Sequence, residues 1–200
     1  MVVYGENIKN LKLDRNQSYI FISLLISGLL ITYISPTIIK EVYSSLPTEW
    51  IAFESLFMSL SSLIIGMIWR NKIRQKIIKH FLLFLFFETI LGVSLILWLL
   101  FINYNVWVLA IMSLFFTSFI TLFVEKCTMV FKSKLWNNDT REQYDNNYSI
   151  ITGLICIIGG ILALLFSPTL KISLMLWGIA YTVDDIGWAL VYIKNKNLHE

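Results

Sequence analysis

The run HFLLFLFFETILGVSLILWLLFI, residues 80–102, decides the fold. Between His80 and Ile102 it carries one charged side chain, Glu88, and no proline. A helix rises ~1.5 Å per residue, so ~17–25 apolar residues cross the hydrocarbon core of a bilayer, and this run is long enough. Surrounded by lipid, its backbone must satisfy its own hydrogen bonds, which leaves the helix as the economical spanning form.

Working outward, the same reading applies to five more stretches. The spans are Tyr19–Ser35, Trp50–Trp69, His80–Ile102, Val106–Val124, Tyr148–Phe166 and Leu170–Ile193. The fold class is therefore all-α: a polytopic membrane protein with six transmembrane helices in one domain over residues 1–200. Composition agrees, with 57% hydrophobic and 14% charged residues and a mean hydropathy of +0.71. A soluble domain carries roughly 25% charged residues.

Charge placement orients the spans. Of sixteen basic residues, only Lys40 and Lys171 fall on one side of the predicted membrane. The rest cluster before the first span, between the second and third, between the fourth and fifth, and after the sixth. The positive-inside rule then puts both termini in the cytoplasm. The net charge of +3 is a topogenic signal, so nucleic acid is not an expected partner and the lipid bilayer is. No small-residue cleavage site follows the first span, so no cleavable signal peptide is expected. The abundance of Ile, Lys and Asn suggests an AT-rich bacterial genome, hence a bacterial cytoplasmic membrane.

Catalytic and metal chemistry find little support. Cys127 and Cys156 have no nearby histidine, and His80 and His199 sit at a helix start and beside the C-terminus. That is no metal set, and neither cysteine suits a structural disulfide. No His/Asp, Ser/Lys or Cys/His group lies in the spans, so neither an enzyme nor a cofactor is expected. Trp50, Trp107, Tyr104 and Tyr43 read as an aromatic belt at the outer interface, Trp69 and Trp136 as one at the inner. Residues 125–147 read as the longest connection, whose first part would rest on the membrane as an amphipathic turn and whose Asp139–Glu142 would cap the fifth span.

Small residues recur on single helical faces. Ser55, Ser59, Ser62 and Gly66 share one in the second span, and Ser149, Gly153, Cys156, Gly160, Ala163 and Ser167 form another along the fifth. Gly178, Thr182, Asp185 and Ala189 do so in the sixth. Such stripes let helices approach closely where lipid removes the hydrophobic incentive, so they are expected to pack.

The chemistry, if any, lies in Glu88, Asp184 and Asp185. An ionisable group near the bilayer centre costs ~3 kcal/mol on insertion scales, and the one Lys or Arg in these spans is Lys171, at the far end of the sixth from the acids. All three sit about nine residues from the predicted inner ends. Asp184 and Asp185 diverge by ~100° around the helix axis. Asp185 falls on the small-residue stripe and is expected to pack. Asp184 shares a stripe with Trp177, Tyr181 and Trp188, the composition of a cation-binding wall, since ring faces and a carboxylate both attract positive charge. The bland alternative is that each acid is buried neutral and donates one hydrogen bond.

The segment Gly66-Met-Ile-Trp-Arg-Asn-Lys-Ile-Arg-Gln-Lys76 resembles the cytoplasmic signature loop of the major facilitator superfamily, Gly-x-Leu-x-Asp-Arg-x-Gly-Arg-Arg/Lys. Gly66, Ile68, Arg74 and Lys76 fit in kind; Arg70 stands where the family has Asp and Ile73 where it has Gly. The resemblance implies one six-helix half of such a transporter, completed as a homodimer or with a second membrane subunit, moving protons or a small cationic solute. Two other readings are open: a non-transporting subunit such as an immunity, assembly or partner-docking protein, and the substrate-binding subunit of a vitamin importer.

Overall fold

The computed structural model describes residues 15–68, 80–101, 105–115 and 122–195. Every regular element among them is an α-helix: α1 (Arg15–Ser45), α2 (Glu49–Ile68), α3 (Phe81–Phe101), α4 (Val106–Phe115), α5 (Leu122–Leu135), α6 (Asn138–Leu165) and α7 (Leu170–Lys194). Five of these are long and apolar enough to cross a membrane: α1, α2, α3, α6 and α7. Of the fourth predicted span the structure describes the ten residues of α4, ~15 Å of helix, and residues 122–124 at the start of α5; residues 116–121 lie outside the described ones.

Helix α7 lies at the centre, packed between α1 and α3, and α1 in turn packs on α6. Close approach is set by two glycines. A Cβ on Gly187 of α7 would stand 2.5 Å from Ser23 Cβ of α1, and one on Gly159 of α6 would stand 2.7 Å from Thr32 Cβ. Both exceed what packing tolerates, so only glycine admits α1 at these distances.

Two apolar clusters close the ends. At the end rich in basic residues, Phe81, Phe131, Trp136, Tyr144, Trp188 and Tyr192 pack together with Ile20 and Phe21. At the opposite end, Leu46, Trp50, Ile96, Leu109 and Leu174 form the second. Between them α3 and α7 carry the buried carboxylates.

Several boundaries move. Helix α1 does not stop at Ser35 but runs through Pro36 to Ser45. Proline removes one backbone donor from the helix; one residue on, the Thr37 hydroxyl donates to the Pro168 carbonyl in the α6–α7 turn at 3.3 Å and ties this end of α1 to that turn. The long connection is absent. Residues 122–135 form a packed helix with Cys127 and Phe131 fully buried, and α6 starts at once after Trp136-Asn137. Asn137 rather than Asp139 caps α6, its side-chain oxygen accepting from the Thr140 N–H at 2.9 Å. Thr169 caps α7 in the same manner. Trp136 is no belt residue; it is buried and stacked on Tyr144 at 4.7 Å between centroids.

The small-residue stripes of α2 and α6 also turn out differently. Ser59 and Ser62 are exposed, as is Gly153, and a Cβ on Gly66, Gly153 or Gly160 would meet nothing within 4 Å. The faces that pack within the chain are instead those of Ser61 and Ile65 in α2, and of Tyr144, Asn147, Ile155 and Gly159 in α6. Gly159 and Gly160 are neighbours ~100° apart around the axis, and it is Gly159 that meets α1.

Candidate functional site

The site grows from two adjacent carboxylates on the most enclosed helix. Asp184 and Asp185 point to different neighbours, as their phase requires. Asp185, 7% exposed, turns to α3, where the Thr89 hydroxyl donates to its Oδ2. Gly178, one face-repeat earlier, packs on Ile96 of the same helix. Asp184 turns to α1, where the Ser27 hydroxyl donates to its Oδ1 at 3.4 Å. The Gly187–Ser23 approach, one turn away, is what brings Ser27 within reach.

A cavity of about 650 Å³ opens between α3 and α7. Asp185, Thr89 and Thr182 give it polar groups, while Leu82, Phe86 and Ile186 supply apolar wall. Exposed His80 stands at its basic end. The expected roles of the two aspartates are thus exchanged: the residue on the small-residue stripe faces the cavity, and the one on the aromatic stripe faces a packed helix. The physical reason is steric. Gly187 draws α1 tightly onto the Asp184 side, whereas α3 leaves space beside Thr182 and Ala189.

The aromatic stripe does not line one wall. Trp177 packs against the cluster at the end away from the basic residues and pairs with Tyr181 at 6.1 Å between ring centroids. Trp188 belongs to the basic-end cluster, edge-on to Phe131. Glu88, 3% exposed, lies on α3 within electrostatic reach of the Cys127 thiol on α5. Arg70, Arg74 and Lys76 of the signature-like loop lie outside the described residues, and Gly66 is an exposed residue near the end of α2.

One member of the site was not foreseen. Lys132, near the end of α5, places its Nζ 4.4 Å from the Tyr144 ring centroid, 5.5 Å from Tyr148 and 5.4 Å from Trp188. Ammonium groups within ~6 Å of a ring face are held by its quadrupole. Burial pulls the Lys132 pKa below its usual value; the Asp145 carboxylate, and more weakly Asp184, pull it back up. Tyr144 stacks with Phe21 at 5.0 Å and with Trp136 at 4.7 Å between centroids, which holds its ring beside the ammonium. Its buried hydroxyl and the buried Asn147 side-chain amide nitrogen have no hydrogen-bond partner among the described residues. No spacing rule links residue 132 to residues 144 and 188, so the sequence held no sign of this cage beyond the i, i+4 pair Tyr144 and Tyr148.

Among the described residues no group of His, Cys, Asp and Glu is placed to hold a metal ion. No family model, curated protein or solved structure matches the chain.

Proposed function

We propose that the chain is a small membrane transport protein that moves protons or a small cationic solute across the bacterial cytoplasmic membrane. In this reading it has six spans with both termini in the cytoplasm, and works as a homodimer or with a second membrane subunit, in the manner of one half of a major facilitator-like transporter. The observation that carries it is the aspartate pair on α7: adjacent carboxylates, each hydrogen-bonded to a different neighbouring helix, one of them opening on a cavity.

The chemistry follows from that division. A carboxylate within a bilayer is costly charged and cheap neutral, so it exchanges a proton, or a proton for a cation, as its surroundings change. Asp185 faces the cavity and is the acid that meets solute. Asp184 is held by Ser27, and a rocking of α1 against α7 would change its environment without moving Asp185 relative to α3. Glu88, at a similar depth, supplies a further proton-carrying group.

The test is flux. Purified protein in vesicles enclosing a pH-sensitive dye is expected to dissipate an imposed proton gradient, alone or on adding a cationic solute. Asp185→Asn should abolish it, and Asp184→Asn and Glu88→Gln should slow it. Wild-type protein giving no flux under any gradient or cation tried ends the transport reading.

A specific observation favours a second reading, a non-transporting membrane subunit. The stripe of Ser55, Ser59 and Ser62 on α2 and that of Ser149, Gly153 and Cys156 on α6 face outward. Small residues on a lipid-facing surface suit docking of a partner helix. Co-purification of a stoichiometric membrane partner, lost on Gly153→Leu, would select this reading.

A further inference from the structure

We propose that the rings of Tyr144, Tyr148 and Trp188 form a second cation site, for a small organic ammonium ion, and that Lys132 is its tethered occupant. Three observations carry this. Three aromatic rings surround one ammonium, their centroids 4.4–5.5 Å from it, although exposed surroundings suffice for the adjacent basic residue, Lys134. The Asp145 carboxylate and, more weakly, Asp184, on the same side of α7 as Trp188, act electrostatically on that ammonium. The Tyr144 ring is held by stacking and its buried hydroxyl has no partner among the described residues, so a polar ligand can gain an oxygen there that Lys132 does not use.

The ligand class follows from the walls. Aromatic faces bind weakly hydrated cations well and do not repay the dehydration of a small, strongly hydrated inorganic ion. Methylated or primary ammonium ions fit, and the Lys132 head is itself such an ion. Its flexible four-carbon stem lets the head leave toward the basic end, where long cationic side chains extend to water along apolar surface. A mobile ammonium ion entering from that end would displace Lys132 and come to rest among the three rings. Lys132 thereby sets a threshold: the site accepts an external cation only when that cation competes with a permanently attached one.

The inference rests on the reading of the chain as a protein that handles cations, but its test needs no flux. In wild-type protein in detergent, acetylation of Lys132 by acetic anhydride is read by mass spectrometry, with Lys134 as internal reference. Tetramethylammonium chloride is expected to raise Lys132 labelling at least threefold over the same concentration of sodium chloride, leaving Lys134 unchanged. By tryptophan fluorescence, Lys132→Met should bind tetramethylammonium at least tenfold more tightly than wild type, and Lys132→Arg, which keeps the charge, should not. Labelling of Lys132 that is indifferent to tetramethylammonium overturns the proposal, and decides the matter if Lys132→Met does not fold. Displacement of Lys132 in a protein without flux would keep this site while ending the transport reading. Flux lost on Asp185→Asn with no displacement would do the reverse.

Discussion

At the residue scale, the Thr89–Asp185 hydrogen bond joins the two helices that border the cavity. Removing one partner of a buried hydrogen bond leaves the other with its desolvation cost, about 1–3 kcal/mol, whereas removing both is close to neutral. Thr89→Val is therefore expected to destabilise the protein by about that amount, and Thr89→Val with Asp185→Leu by less than the sum of the single changes. Denaturation midpoints of the four proteins in one detergent give the coupling; strict additivity would mean the bond does not form. Lys132 offers a second measurement. Burial lowers its pKa in the folded protein below the 10.5 of a free lysine. Between those two values the unfolded chain binds more protons than the folded one, so stability rises with pH across that window. Lys132→Met removes this contribution, and its midpoint should lack the rise that wild type shows on the way to pH 10.5.

At the scale of elements, the contrast between Gly159 and Gly160 is the sharpest consequence of the packing. Gly159→Ala forces a methyl to within 2.7 Å of Thr32 Cβ and should cost about 1–3 kcal/mol by overpacking. Gly160→Ala meets nothing and should be neutral or stabilise by up to about 1 kcal/mol through helix propensity. Equal effects in a thermal-shift series would rule out this register of α6 on α1. The two glycines also measure how much of the fold was legible in the sequence. Hydropathy finds the apolar helices because the cost of exposing a polar backbone to lipid is large and local. It does not find their inward faces, because in lipid both faces of a helix are apolar and the pattern that marks the core of a soluble helix is missing. Hence Gly153 and Gly160 look equivalent to Gly159, and Ser59 and Ser62 to Ser61. Phase alone could separate Asp184 from Asp185; which side would be filled depended on Gly187 and Ser23, residues of helices remote in sequence. Lys132 was hidden for the same reason, and its basic flank made α5 read as surface.

For the whole molecule, the open quantity is parity, the odd or even number of crossings, and it follows from the short helices. Helices α1, α2, α3, α6 and α7 suffice to cross. If only these did, α1 and α7 would traverse in the same sense. Yet α1 and α7 run antiparallel: Ser23 lies against Gly187, and Ser27, one turn further along α1, lies against Asp184, one turn earlier in α7. Antiparallel first and last spans require an even number of crossings, so on the six-span reading proposed above the segment containing α4 supplies the remaining one. The basic residues agree, since Arg15 and Lys194 flank the same end of the bundle. A fluorescent-protein fusion at the C-terminus and one at the N-terminus should therefore both fold and glow in the cytoplasm. Alkaline phosphatase inserted at Ser167, in the α6–α7 turn, should be active outside it, and the same enzyme fused after Lys194 should be inactive. Fluorescence at one terminus with phosphatase activity at the other would mean an odd number of crossings, and would require the α1–α7 pair to be taken apart.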